Sequence, residues 1–289
     1  MRLAITGATG RIGSALVRHA LEAGCEVRAA DVRFQAAFPA PLTLTNLLDK
    51  SVLCSLLEGA DAVIHLANAW TGHMPDVART LYEATEMNAK VMATAVEMGV
   101  KRIIFASSVQ VTAGTGMIED RCWPVQKQIA YLPMDGALPP RPSNGYALSK
   151  SLAEQVLRFH CDRSGITGIA LRYPVVMDQH HLAKALEMFR KGRLAVGWTP
   201  MSLLEGCSHL TVADAARLTL ACTTAELSGY HCLFPTSTWQ WPAPVQNIIE
   251  QYCQGIELRR PLQEIDNLVD LAQVTKLTGW TPLDKPFLL

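Results

Sequence analysis

The stretch "TGATGRIG", Thr6 to Gly13, decides how the rest of the chain reads. It follows a short apolar run, Arg2 to Thr6, and opens a segment, Ile12 to Ala23, whose apolar residues keep helical spacing until Gly24. Gly7, Gly10 and Gly13 therefore fall in the turn between a strand and a helix. Lacking a Cβ, glycine permits that tight turn and lets a pyrophosphate approach the backbone, where the positive helix end attracts its charge. An acid, Asp31, closes the next strand-like run, "EVRAADV" from Glu26. At that place in a dinucleotide-binding unit an acid accepts hydrogen bonds from ribose hydroxyls and repels a 2′-phosphate, which favours NAD over NADP. Arg33 pulls the other way if it pairs with a phosphate; otherwise it is a solvated loop charge.

Outward from this turn the rhythm repeats. An apolar-periodic segment from Ser51 to Leu57 precedes a strand, "DAVIHLA", from Asp61; a helical stretch from Asp76 to Met98 stops at Gly99 and precedes the strand "KRIIFASS". Alternating strands and helices predict an α/β fold, a doubly wound parallel sheet of Rossmann type. Pro124, Pro133, Pro139, Pro140 and Pro142 then interrupt regular structure, so a long loop or lid is expected before a helix from Tyr146 to about Arg163 and the strand "TGIALRY". Beyond Pro174 we expect a helix over His181 to Lys191, a loop around "VGWTPMSLLEGCS", a helix from Val212 to Thr223, and a strand in "GYHCLF". The expected organisation is a dinucleotide-binding domain over 1–172 and a smaller substrate-binding cap over 173–289, with residues near 229–234 returning to the main sheet.

Composition narrows the function classes. The 289 residues carry 26 basic and 26 acidic side chains, so nothing in the charge balance recruits nucleic acid or an anionic membrane. No apolar run approaches the roughly 18–20 residues of a spanning helix. The eight cysteines include no Cys-x-x-Cys pair, and no signal peptide stands ahead of "MRLAITGATG". Free thiols in a reducing cytoplasm are the expectation. His180 and His181 lack further ligands at metal spacing, so no metal site is expected.

"NGYALSK", Asn144 to Lys150, sets a tyrosine and a lysine one helical turn apart. Taken with "TGATGRIG", "DAVIHLAN", "MNAKVMATAVEMGVKRIIFASS", "LRYP" and "TKLTGWTP" in this order, it resembles the extended short-chain dehydrogenases/reductases, the NAD-dependent epimerase/dehydratase group, over nearly the whole chain. The resemblance implies a catalytic set of Ser108, Tyr146 and Lys150. Removing hydride from a secondary alcohol needs a base for the hydroxyl proton, and an ordinary tyrosine ionises only near pH 10. The Lys150 ammonium is expected to favour the Tyr146 phenolate and to hold the nicotinamide ribose. Ser108 rather than Ser107 is expected on the reacting oxygen. Asn88 matches a family asparagine that braces the sheet near the site, in a structural or a catalytic role.

The resemblance also implies cofactor contacts at Gly7, Gly10, Gly13, Asp31 and Ala67, at Tyr146 and Lys150, and at Tyr173 and Pro174 beside the nicotinamide. Asn46 and Leu47 stand where the family holds adenine. Arg11 is placed near the pyrophosphate and Ile12 in helix packing beside it. Dehydratases of the family follow the catalytic hydroxyl with Asp-Glu, whereas Val109 and Gln110 stand here, so dehydration is disfavoured. Nucleotide-sugar epimerases carry an arginine that falls near Cys207 in this chain. The resemblance is nearer to uronate and sugar dehydrogenases, and predicts a homodimeric oxidoreductase or epimerase acting on a sugar alcohol. A nucleotide-sugar 4-epimerase and a non-catalytic dinucleotide sensor are the alternatives. Arg172, Trp198, His209, Trp239 and Trp241 are candidates for the substrate wall, with core or cap packing as the other reading.

Overall fold

The computed structural model describes residues 1–69, 77–112, 129–178, 203–239 and 243–283, together with residues 180, 182 and 187. Seven parallel strands form the central sheet: β1 (Arg2–Thr6), β2 (Glu26–Asp31), β3 (Leu42–Leu44), β4 (Ala62–His65), β5 (Arg102–Ser108), β7 (Thr167–Tyr173) and β10 (Tyr230–Leu233). Their order is β10-β7-β5-β4-β1-β2-β3, so the chain reverses its direction of travel across the sheet between β1 and β4. In an open α/β sheet that reversal opens a crevice beyond the carboxyl ends of the strands, where ligands bind. β1, β4 and β7 are almost wholly buried, as parallel strands covered on both faces must be, while the edge strand β3 is largely exposed.

Helices cover both faces. α1 (Arg11–Glu22) and α5 (Val212–Thr224) pack on one side, where Leu16, Val17, Ala20, Leu218 and Cys222 join Ile5 and Ile104 in one core cluster. α2 (Lys50–Leu57), α3 (Val77–Glu97) and α4 (Gly145–Ser164) cover the other, where Leu53, Met92 and Leu157 meet Val63 and Phe105. Each fully buried Val, Leu, Ile, Phe or Met side chain among them contributes about 1.5–3 kcal/mol. The helix ends follow local chemistry. The Asn144 side chain accepts a hydrogen bond from the Ala147 amide at 2.7 Å to start α4, and Gly165, at φ 67°, ends it.

A third core cluster lies beyond the sheet. It gathers Val109, Leu132, Met134, Leu203, Phe234 and Ile249, and so draws on both halves of the chain. The small elements of this half were not legible as periodic segments: β6 (Tyr131–Leu132) pairs with β11 (Glu257–Leu258), β8 (Val175–Met177) with β9 (His209–Thr211), and the short helices α6 (Val245–Tyr252), in this cluster, and α7 (Ala272–Thr278), whose Val274 packs with α1 and α5, follow. Two- and three-residue strands are too short to show an alternation. β3 escaped notice for the same reason, between Pro41 and the Thr45 turn. The expected helix over His181 to Lys191 lies outside the described residues apart from residues 182 and 187, as do Trp241 and the part of the next loop that carries Trp198. Among the described residues no helix is long and apolar enough to cross a membrane, and no three His, Cys, Asp or Glu side chains are grouped to hold a metal.

Candidate active site

The glycine turn leaves β1 at the sheet's reversal point. Gly7 holds φ at 67°, and a Cβ there would lie 2.6 Å from the Ala67 amide nitrogen. A Cβ on Gly13 would lie 2.3 Å from the Gly7 carbonyl oxygen. Side chains are thus excluded where α1 meets the end of β1, and the backbone stays bare. The α1 N-cap is Gly10, and no side chain caps the first turn. Helix amides left uncapped in a glycine cradle are a site for phosphate. Asp31, 7% exposed, reaches the same turn: its carboxylate accepts from the Thr9 amide at 2.9 Å and the Val32 amide at 2.8 Å. A bare, uncapped helix start with an acid beside it fits a dinucleotide.

Register brings the chemistry to the same edge. Thr6 pairs with His65 and His65 with Phe105, and β5 and β7 run past that level to Ser108 and Tyr173, which pair with each other, so all four strands end at the same edge of the sheet. Tyr146 and Lys150, one turn apart on α4, face them. A cleft of about 470 Å³ is lined by Gly7, Gly10, Arg11, Ile12 and Gly13 at one end and by Ser108, Gln110, Tyr146, Lys150 and Glu205 further along. Tyr173 and Pro174 line it too, as do Leu66 and Asn68 on either side of Ala67. The Tyr173 hydroxyl is tied to Thr219 of α5.

The two serines of "FASS" divide their work. The Ser107 hydroxyl donates to Glu154 Oε1 at 2.5 Å, beneath the cleft. Ser108 accepts from the Gln110 amide at 3.2 Å and hydrogen-bonds the Tyr146 phenol. Burial raises the Tyr146 pKa; the Ser108 bond lowers it and the nearby Glu205 charge raises it. Lys150, 2% exposed, donates to the Ala106 carbonyl at 2.8 Å and lies 5.7 Å from the Tyr146 ring centroid. Burial brings its pKa down to about 7, against an opposing pull from Glu154. Burial disfavours the charged form of both groups, and Lys150 lies one turn from Tyr146 on the same helix, where its ammonium would favour the phenolate.

Beneath the cleft, buried polar pairs lock the elements together. His65 hydrogen-bonds Thr6 Oγ1 through Nδ1 at 2.6 Å and Asn88 Oδ1 through Nε2 at 2.9 Å. The asparagine oxygen can only accept, so Nε2 carries the proton and Nδ1 accepts from Thr6. Burial and the Lys150 charge push the His65 pKa down to about 3, with the Asn88 bond opposing. Asn88 thereby ties α3 to β4, a bracing contact.

Other candidates sit elsewhere. Arg172 is 4% exposed and spends its guanidinium on Glu154, through Nε at 3.0 Å and Nη2 at 2.8 Å, and on the Leu138 carbonyl at 2.7 Å. It borders a separate cleft with Gly136 to Pro140. The proline-rich stretch, expected as a loop or lid before the Tyr146 helix, has its Gly136 to Pro140 part beside Arg172, where β6 and Met134 are stitched to β11 and Leu268. His209, 2% exposed in β9, is brought to a pKa of about 4 by burial and is not on the cleft wall. The Trp239 indole donates to the Ala243 carbonyl at 2.8 Å and packs against the third core cluster. Asn46 and Leu47 lie past β3, where the Asn46 side chain accepts from the Leu48 amide at 3.1 Å and Leu47, 2% exposed, holds φ at 64°. Glu205 escaped the sequence reading because it stands in an irregular segment, "MSLLEGCS", with no motif around it.

The model of the family described as "NAD dependent epimerase/dehydratase family" matches residues 3–222. The chain belongs to that family. Within it, the chain is similar to a uronate dehydrogenase of Pseudomonas putida, 33% identical over 183 residues, which are 59% of each chain. It is also similar to an NAD-dependent glucose-6-phosphate dehydrogenase of Haloferax volcanii, 29% identical over 63% of this chain and 71% of the relative. The match thus spans about three fifths of the Pseudomonas enzyme's length. A solved structure of a mutated uronate dehydrogenase shares the fold with a TM-score of 0.65 at 21% identity, covering 98% of this chain and 82% of the other.

Proposed function

We propose that this protein is an NAD-linked enzyme that moves a hydride between the nicotinamide and a secondary alcohol carbon of a sugar. The observation that carries this reading is the meeting, in one cleft, of an uncapped helix N-terminus in a glycine cradle with Ser108, Tyr146 and Lys150. Bound NAD supplies the hydride acceptor or donor. Gly7, Gly10 and Gly13 receive the phosphates with Arg11 and Ile12 beside them, Asp31 the adenosine ribose, Asn46 and Leu47 the adenine. Ala67, Tyr173 and Pro174 flank the remainder, with Lys150 on the nicotinamide ribose.

Ser108 holds the reacting oxygen and Tyr146 handles its proton. During reduction the phenol, kept protonated by burial, gives its proton to the carbonyl oxygen. During oxidation it must lose that proton first, and the protonated fraction of Lys150 assists. A nucleotide-sugar 4-epimerase needs a cation for the substrate diphosphate. Cys207, near the arginine position of such enzymes, is buried, and Arg11 and Lys150 are the cations on the described wall. A free sugar fits better. Residues 1–172 then act mainly as the cofactor half and 173–289 as the substrate half. The free thiols among the described cysteines favour a reducing cytoplasm, and exposed apolar side chains on α3 and α4 favour a homodimer.

The test is turnover of a panel of sugars with NAD by the wild type and Tyr146→Phe. The variant should lose at least ~100-fold in kcat while binding NAD as before. Full activity in the variant would remove Tyr146 from its role. NAD binding without turnover of any alcohol would favour a dinucleotide sensor instead.

A further inference from the structure

We propose that Glu154 sets the charge state of Lys150: a carboxylate pinned beneath the cleft by Arg172 and Ser107, one helical turn beyond Lys150, keeps the buried ammonium protonated for its work on the cofactor and on Tyr146. Glu154 acts through Lys150 and meets no substrate, so it is a positioning residue. The work assigned to Lys150 rests on the reading of the cleft as a sugar oxidoreductase site.

The geometry makes Glu154 an anion and fixes it. Its Oε1 accepts from Arg172 Nε at 3.0 Å and its Oε2 from Arg172 Nη2 at 2.8 Å, a two-point ion pair of a permanently charged guanidinium with a carboxylate. Arg172 Nη1 is spent on the Leu138 carbonyl at 2.7 Å, so the fork is held where it is. From β5 the Ser107 hydroxyl donates to Oε1 at 2.5 Å. Ser107, Lys150, Glu154 and Arg172 are all buried, and charges so placed are poorly screened by water or salt.

Lys150 stands four residues before Glu154 on the same face of α4. Its ammonium donates to the carbonyl of Ala106, the neighbour of Ser107, and lies 4.8 Å from the Phe105 ring centroid, so one segment of β5 holds both the ammonium and the carboxylate. Burial drives the lysine toward its neutral form, and the Glu154 charge is the pull that opposes it. The other groups facing the pair are neutral or paired elsewhere. His65 of β4 is kept neutral by burial, and burial raises Tyr146. On β10, burial pushes Tyr230 above its ordinary range and Cys232 up to about 12, with the Glu154 charge adding to both. Arg158, one turn on, lies over the Tyr230 ring, and His231 is turned to the Ser228 carbonyl at 2.9 Å. Glu205 bears on Tyr146. Among the described residues Glu154 is thus the anion whose charge bears on Lys150. Without it two buried cations remain, and since arginine does not give up its proton, Lys150 must.

The experiment follows the lysine ε-methylene signals of the full chain by NMR as pH is varied, with Lys150→Met identifying the Lys150 signal. The wild-type midpoint is expected at about 7. Glu154→Gln, close in shape but uncharged, should lower it by at least ~1 pH unit, and Glu154→Asp, which keeps the charge one methylene further back, by at least ~0.3. Glu154→Leu with Arg172→Met replaces the ion pair by apolar side chains, an exchange that buried pairs tolerate well, and should lower the midpoint too. Oxidation of a sugar that the wild type accepts gives a second reading. A midpoint one unit lower costs about 10-fold in kcat/KM at pH 8 but only about 2-fold at pH 6, whereas a purely structural defect costs the same factor at both. An unmoved Lys150 midpoint in Glu154→Gln or in the double variant, with the melting temperature kept, overturns the proposal and leaves the parent reading intact; an equal loss at both pH values overturns it as well. If Glu154→Gln does not fold the double variant decides, and if neither folds Glu154→Asp does. The titration needs no substrate, so it is independent of the parent reading, which fails when the wild type turns over no sugar.

Discussion

At Gly13 a single methyl group would meet the Gly7 carbonyl oxygen at 2.3 Å and the Ala8 backbone at 2.8 Å. Neither neighbour is the end of a flexible side chain, so α1 would have to move away from the turn. Gly13→Ala should therefore destabilise the protein by about 1–3 kcal/mol and weaken NAD binding, as measured by thermal unfolding and titration. Unchanged stability would mean the turn is looser than described. Single residues were where the sequence was most legible: glycine positions, the acid that ends β2 and the Tyr146–Lys150 spacing are each set by local backbone chemistry. Arg172 and Glu205 were not legible. Arg172 is turned from the cleft by Glu154, a helix neighbour, and Glu205 is brought to it by an irregular turn; neither relation has a sequence period.

Three elements are joined by one histidine. His65 in β4 bonds Thr6 in β1 and Asn88 in α3 only while it is neutral, because protonation turns the nitrogen that accepts from Thr6 into a donor. Its folded pKa of about 3 lies below the ordinary value of 6.5. Between those values the unfolded chain takes up a proton that the folded protein refuses, so the stabilisation present above pH 6.5 is lost as pH falls toward 3. The loss amounts to at most about 1.4 kcal/mol per pH unit. His209, brought to about 4 by burial, adds to the same acid limb. Glu or Asp titration affects wild type and variant alike, so the comparison to make is denaturant unfolding of wild type and His65→Gln at pH 7 and pH 5. The stability gap between them should narrow by about 2 kcal/mol at the lower pH; parallel profiles would show that His65 does not titrate on unfolding. The long elements α1, α3, α4, β5 and β7 were readable because their apolar periods run for whole turns or pleats. β3, β6, β8 and β11 were not, since two or three residues carry no period and only their partners make them strands.

Across the whole molecule, α3 and α4 pack on the sheet and on each other yet leave Tyr82, Leu148 and Phe159 exposed at 70%, 37% and 55%. Tyr82→Glu combined with Phe159→Glu should convert a homodimer into a 31.6 kDa monomer in light scattering, while thermal stability of the subunit changes little. A wild-type monomer at micromolar concentration would sink the dimer. The sequence by itself determined the alternation of strand and helix, the glycine cradle and the Tyr-Lys pair, because each depends on neighbours within one turn or pleat. Only the tertiary structure decided that β1, β4, β5 and β7 end at one edge of the sheet around one cleft. It likewise decided that Gly136 to Pro140 border a different cleft and that Glu205 stands on the wall of the same cleft as Tyr146. Those outcomes depend on contacts between segments tens of residues apart, whose energies are set by packing and burial and leave no local pattern in the chain.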